Sequence, residues 1–504
     1  MRNIRTPSSL RLTPLAACMA VALSFTAAAA TSASPSPASA LVPGAGAEYS
    51  AALDQGRAHF LSPALAKTLS SLLHPPSPTA VTRTVLNCND APLGSDPNDL
   101  RDTVAASADG DTVNFALSCS KITLTQGSIN VLVPGLIITG PGAAALTIDG
   151  GYASTPKLYN EVFTHFGAGT LGISGLTIAN AKYKSASLPK GGCIYSKGSV
   201  TLSDSIVTGC LVQGTGTVAA SGAGIYGRLG VNVKYSTVSG NLVNASTGPA
   251  YGGGIYTKGS LFTKYSTISN NFVLHGSTSL GEGGGIYSSG AGNVTILGTT
   301  ISNNYAQLFG GLQIKNGGAF TASITNSTIS GNTAASSIGG AGVYLPLTLS
   351  NTTIASNKST ATSGFGAGLF LGNGTASDFE SSLLALNADG TNESDVSVGS
   401  GSTITGANNL ITVTTAGVPL GTISACPKLA PLADNGGAVF SMALLQGSPA
   451  INTGNNNAAL TKDTRGFGFA RVVGPFADIG SYERQTGVVD DMIFANGFES
   501  GCIQ

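Results

Sequence analysis

Carboxylates, histidines and cysteines are the side chains here with reactive chemistry, and their spacing argues against an assembled catalytic centre. Between Gly191 and Ser377 the only acidic residues are Asp204 and Glu282. Hydrolysis of a glycosidic bond usually takes two carboxylates facing one bond, and a calcium-assisted elimination needs several oxygen ligands beside its base. Asp204 falls in a turn beside a strand and Glu282 in a connecting loop, at unrelated places of two different sequence copies, so no register pairs them. His165 and His275 are the only histidines beyond the N-terminal region, and a lone histidine is more often packed or solvated than reactive. Asp389, Asn392, Glu393 and Asp395 form one acidic loop that offers oxygens to a calcium ion, but without the glycine-spaced register of an EF-hand loop. Glycines recur without the G-K-[ST] of a phosphate loop. No catalytic residue, resident metal or cofactor is therefore expected.

The cysteines point to an oxidising compartment. Arg2, Arg5 and Arg11 precede an apolar run from Leu12 to Ala30, the layout of a secretory signal peptide over residues 1–30 with cleavage between 30 and 40. Cys18 lies inside that run, leaving six cysteines and no C-x-x-C spacing, which favours disulfides over metal. Cys88 and Cys119 flank one early segment, Cys193 and Cys210 flank one copy of a repeat, and Cys426 with Cys502 remain by elimination.

What positions these residues is a refrain. GGCIYSKGSVTLSDSIVTGC from Gly191, GAGIYGRLGVNVKYSTVSGN from Gly222, GGGIYTKGSLFTKYSTISNN from Gly252 and GGGIYSSGAGNVTILGTTISNN from Gly283 are one phrase, with looser copies near Phe309, Gly340 and Gly366. Short runs of alternating apolar residues rich in Thr, Ile and Val predict about three strands per copy. One copy cannot bury its own apolar face, whereas stacked copies share a core and pair every strand, which predicts a parallel β-helix. Asn241, Asn271, Asn304, Asn332, Asn357 and Asn387 close successive copies and are expected to form an amide ladder, with Cys210 in that place in the first copy. Aliphatic Ile194, Ile225, Ile255, Ile286, Leu312, Val343 and Leu369 are expected inward, which turns Tyr195, Tyr226, Tyr256, Tyr287, Tyr344 and Phe370 outward and leaves Gln313 exposed. Those rings are either an open ligand-binding stripe or an outer apolar layer under the connecting loops.

These phrases resemble the repeats of polymorphic outer-membrane proteins and of the wider right-handed β-helix group related in fold to pectate lyases. Leu86 to Gly151 resembles the N-terminal cap and first coils of secreted bacterial members of that group. LLQGSPAINTGNN from Leu444 and DTRGFGFARVVGPFADIGSYE from Asp463 resemble the choice-of-anchor Q domain of surface-associated proteins. The resemblances imply an all-β, right-handed solenoid.

Its expected layout is a leader or pro-region at 41–80, the β-helix with its cap at 81–425, a C-terminal cap at 426–485 and a tail at 486–504. Asp96 or Asn98 is expected to N-cap a short lid helix, and Asp463, Arg465, Arg471 and Asp478 to cross-brace the far cap. The tail resembles short IF-x-x-GFE endings on proteins exported by some Gram-negative bacteria. With 24 basic and 24 acidic residues no nucleic-acid partner is expected, and no later segment has the apolar length of a membrane span. The expected molecule is a secreted or surface-retained monomer with a structural or adhesive role toward glycan or protein, the alternative being a polysaccharide lyase or glycoside hydrolase of the same fold.

Overall fold

The computed structural model describes residues 79–152, 159–276, 280–360 and 366–487. The signal peptide, the pro-region as far as Pro78, and the tail from Val488 with Cys502 lie outside the described residues.

Each repeat makes one coil. In the coil from Gly230 the strands are Gly230–Lys234, Thr237–Ser239, Leu242–Ala245 and Ile255–Thr257, with a two-residue strand, Ala250–Tyr251, in the connecting loop. Stacking the coils builds a long sheet of 12 strands, a Thr-Ile-Ser sheet of 11, a loop-side sheet of 9 and a tyrosine sheet of 10. Neighbours pair in parallel, Val231 with Val200 and Leu261, and Ile255 with Ile225 and Ile286. The protein is a parallel β-helix. It has four strands per coil where three were expected, because the run after each closing Asn is itself a strand: Leu211–Gly214, Leu242–Ala245 and Phe272–His275 pair with one another.

Inward residues of three sheets, among them Val200, Val207, Ile225, Val233 and Ile268, form one continuous buried core. A second buried layer of Val212, Ala220, Val243, Ala250 and Val273 lies beneath the loops.

The amide ladder runs along this core from Asn241 to Asn387. Asn241 Nδ2 donates to Asn271 Oδ1 at 2.9 Å, and the same bond joins Asn271 to Asn304, Asn304 to Asn332, Asn332 to Asn357 and Asn357 to Asn387 at 2.9–3.0 Å. The second amide hydrogen goes to a backbone carbonyl, Val238 for Asn271 and Ile268 for Asn304. At the last step Asn387 Nδ2 donates to Asp395 Oδ1 at 2.8 Å, so a carboxylate ends a row of aligned amide dipoles. Glycine faces each amide, because a Cβ at Gly254 would lie 2.9 Å from Asn271 Nδ2 and one at Gly285 2.9 Å from Asn304 Nδ2. In the first copy Cys193 and Cys210 stand in the Gly and Asn places and are joined by a disulfide across a Cα–Cα distance of 5.5 Å. The residue before the ladder Asn turns with positive φ, at 66° and 68° for Gly240 and Gly331 and 54° and 55° for Asn270 and Asn303, residues that adopt it readily, and at 59° and 61° for Ser356 and Leu386 in the last two copies, where the turn is held against side-chain preference.

A second disulfide joins Cys88 and Cys119. Helix α1, Leu100–Ala105, seats Leu100 and Val104 in the core near the first strands. Its N-cap is Asp99, whose side chain accepts from Asp102 N at 2.8 Å, and neither Asp96 nor Asn98. Asp96 instead accepts from Asn98 N and Asn87 Nδ2, closing its own turn one step earlier.

The segment expected to close the far end lies along the flank of the Thr-Ile-Ser sheet. Thr300 Oγ1 donates to Phe440 O, Thr328 and Ser481 share a hydroxyl bond of 2.8 Å, and Ser481 N donates to Thr353 Oγ1 at 3.0 Å. Over the last coil sits residue run 412–423, with Val413 N donating to Asp395 Oδ2 at 2.8 Å. Within the flanking segment Asp463, Arg465, Arg471, Asp478 and Glu483 are all buried. Arg465 bonds Asp463 through Nε and Nη2 at 2.9 and 2.6 Å, and its guanidinium carbon is 3.9 Å from the ring centres of both Phe469 and Tyr482. Arg471 lies 3.3 Å from Glu483.

Candidate functional site

Strand alternation in the tyrosine sheet sends Ile225 inward, Tyr226 outward, Gly227 inward and Arg228 outward. Repeated over coils, this yields two outer columns. In the first, Tyr195, Tyr226, Tyr256 and Tyr287 pair across consecutive strands and stack with ring centres 5.3, 5.1 and 5.5 Å apart.

These rings are 3 to 8% exposed and do not form an open stripe. Tyr251, from the loop strand, tilts against Tyr256 and Tyr287, and Lys190 lies over the Tyr226 ring at 5.5 Å. The loops thus cover the column, and burial raises the Tyr195 and Tyr256 hydroxyls above their ordinary pKa. Beyond Tyr287 the register departs from the expected one. Leu312 pairs with Ala341, and Gln313 with Gly342 and Tyr287, while Phe370 pairs with Gly342. Val343 and Tyr344 therefore stand two places past the expected columns. Gln313 is 1% exposed, against the expectation of an open position, because Phe309 and its loop close over that place.

The second column consists of cations. Lys197, Arg228 and Lys258 directly follow the paired residues Ser196, Gly227 and Thr257, all three are exposed, and Lys315 extends the line beyond Ser289. Coils repeat at about 4.8 Å, so the charges recur at about that interval wherever successive coils carry one. Among the described residues none of these cations enters an ion pair. Lys190 is held below its ordinary pKa by burial and by the nearby Lys258 and Arg228 charges. Lys197 also lies over the exposed Phe166 ring at 5.2 Å. The signal was present in the chain, since I-Y-x-[KR] recurs in three consecutive copies, although charge in the sequence as a whole balances.

The remaining reactive residues are dispersed. His165 is buried between Ser196 Oγ, at 2.7 Å, and the Pro134 carbonyl, and burial lowers its pKa, so it serves as a neutral packing residue. His275 contacts the Gly276 carbonyl, and Asp204 sits exposed at a turn with φ 49°. The four residues of the acidic loop are engaged in separate contacts. Asp395 accepts from Asn387, Thr412 and Val413, Glu393 accepts from Leu386 N and Thr412, and Asp389 with Asn392 forms an antiparallel strand pair with each other. No group of three or more His, Cys, Asp or Glu side chains placed to hold one metal ion occurs among the described residues.

Glu161 lies close enough to Tyr195 to raise its pKa, and it accepts from Ser128 Oγ at 3.0 Å. Burial pushes its carboxyl up from 4.5 to about 7. The folded state thus favours the protonated form, so this group's stabilisation is complete below 4.5 and is lost as pH rises through about 7. Glu161→Gln is expected to leave stability nearly unchanged at pH 5 and to raise it by about 2–3 kcal/mol at pH 9. Urea unfolding at the two pH values checks this, and an equal effect at both would refute it.

No family model matches the chain, and no curated protein matches it. Among solved structures, the crystal structure of pectate lyase Pel9A is similar at a TM-score of 0.45 and 14% identity, over 81% of this chain and 98% of that one. That likeness is one of fold alone. The disulfides and this fold are compatible with an extracellular protein, and among the described residues no helix is long and apolar enough to cross a membrane.

Proposed function

We propose that the protein is a secreted or cell-surface binding scaffold that holds an acidic glycan chain along its tyrosine sheet. The observation that carries this reading is the exposed column Lys197, Arg228 and Lys258, unpaired among the described residues and aligned with the coil axis. Like charges stacked at coil spacing repel one another, and a linear polyanion running along the axis relieves that repulsion. The buried tyrosine stack beneath supplies rigidity, so little side-chain order is lost on binding.

Polygalacturonate and a neutral glucan, titrated onto the full chain, test the reading. Lys197→Ala, Arg228→Ala and Lys258→Ala combined are expected to weaken polygalacturonate binding about ten- to a hundredfold, each exposed cation contributing about 0.5–1 kcal/mol. Binding should weaken further with salt, and the melting temperature should stay unchanged because all three side chains are exposed. Unchanged affinity in the triple variant, or preference for the neutral glucan, would sink the reading. New reducing ends released from the polymer, and lost in Arg228→Ala, would favour the lyase or hydrolase alternative.

A further inference from the structure

The tyrosine column ends at Tyr287, and past it lies a cavity of about 360 Å³. Its walls are aromatic: Phe309 meets Tyr344 edge-on at 6.3 Å, and Tyr344 meets Phe370 edge-on at 5.7 Å. Its polar lining is Glu282, Gln313, Lys315, Ser336 and Ser337. Glu282 comes from the loop strand Gly281–Glu282, held by parallel pairing with Ala250–Tyr251, and Gln313 from the tyrosine sheet. Both are rigidly placed, at 5% and 1% exposure.

Each nevertheless leaves one acceptor unused. Glu282 Oε2 and Gln313 Oε1 are buried and have no hydrogen-bond partner among the described residues. Burying such atoms unpaired is costly, and a ligand that donates to both removes the cost. The occupant must therefore bring hydroxyl or amine hydrogens and an apolar face for the rings. Lys315 opposes a cation. Glu282 opposes an anion, although burial raises its carboxyl above the ordinary range against the pull of Lys315 and a hydrogen bond from Gln313.

We propose that this cavity binds one neutral hexopyranose unit, its hydroxyls donating to Glu282 Oε2 and Gln313 Oε1 and one ring face lying against Tyr344 or Phe370. The volume suits a single ring and not a chain, being at the small end of the range for ligand pockets. The assignment does not depend on the acidic-chain reading, because none of Lys197, Arg228 and Lys258 lines the cavity.

Saturation-transfer NMR and titration on the full chain with D-glucose, D-galactose, D-mannose and n-butylammonium test it. At least one hexose should bind saturably, and Gln313→Leu and Tyr344→Ala should each weaken it about tenfold or more. The Lys197, Arg228 and Lys258 triple variant should keep hexose binding, and Gln313→Leu should keep polygalacturonate binding, so the two readings fail separately. Tyr344 is 36% exposed, so Tyr344→Ala carries the test even where Gln313→Leu does not fold. An oligosaccharide ending in the preferred hexose assigns the site to a glycan end if it binds more tightly, and to the free sugar if it does not. Absence of saturable binding by every hexose, binding indifferent to both variants, or tighter binding of n-butylammonium would overturn the proposal.

Discussion

Asn304→Ala is expected to lower stability by about 3–5 kcal/mol, because one small truncation strips several buried groups of their partners at once. Asn304 Oδ1 accepts from both Asn271 N and Asn271 Nδ2 at 3.0 Å, and its own Nδ2 donates to Asn332 Oδ1 and Ile268 O at 2.9 Å. All of these atoms are buried, and alanine satisfies none of them. The neighbouring Asn303 is an internal control. It is exposed and has φ 55°, so Asn303→Gly keeps the turn and should change stability by no more than about 0.5 kcal/mol. In a solenoid each coil contacts mainly its neighbours, so a break in mid-ladder is also expected to separate the unfolding of the two halves. Urea titration followed by circular dichroism reads both effects. A loss below about 1 kcal/mol would mean that the amides merely fill space.

The ladder was legible in the sequence because two constraints coincide at each copy. A side chain there must both donate and accept along the axis, which asparagine does and the surrounding threonines cannot do as well. Opposite it the backbone must approach closely, which calls for glycine. That the two are one structural pair is clearest where both change together, as at Cys193 and Cys210, whose disulfide takes the place of a Gly–Asn contact.

Less legible was the register of the later copies. Anchoring them on the aromatic residue puts Val343 and Tyr344 in the inward and outward columns, whereas the physical anchor is the glycine against the ladder amide. Gly311 faces Asn332 and Gly340 faces Asn357, which places Ala341 and Gly342 in those columns. Burial of the tyrosines was legible as one of two alternatives, an outer layer under the connecting loops, and periodicity alone could not choose between them. Period-two alternation says which way a side chain leaves its own coil, but the cover over Tyr256 and Tyr287 comes from Tyr251, at a place no periodicity marks. The cation column was written plainly as I-Y-x-[KR], but total charge conceals it, since 24 basic and 24 acidic residues cancel. Glu282 and Gln313 carry no shared motif. They meet only because a loop strand and a sheet strand pass the same cavity.

The flanking segment buries two cations, Arg465 and Arg471, and removing the first by Arg465→Met is expected to detach it while leaving the coils folded. Arg465 gives Nε and Nη2 to Asp463, Nη2 also to the Glu483 carbonyl, and lies between the Phe469 and Tyr482 rings. Methionine fills much of the volume but leaves the fully buried Asp463 carboxylate without its counter-ion, at a cost of about 3–5 kcal/mol. Lysine should not rescue the site, since a point charge can neither grip two atoms in a planar fork nor stack between two rings. The segment meets the Thr-Ile-Ser sheet through individually weak hydroxyl and amide bonds at Thr300, Thr328, Thr353 and Asn326 and through an apolar cluster in which Leu429, Met442, Leu444 and Ile479 pack with Leu383 and Leu410 near the end of that sheet. The buried ladder and core lie on the far side of that sheet and do not contain Arg465. Limited proteolysis should therefore cut Arg465→Met within residues 426–487 at least about tenfold faster than the parent chain, the open population following the lost free energy. The main unfolding transition should stay in place. Should that transition fall together with protease resistance, the flank and the coils would be one cooperative unit, and the division between them drawn here would be wrong.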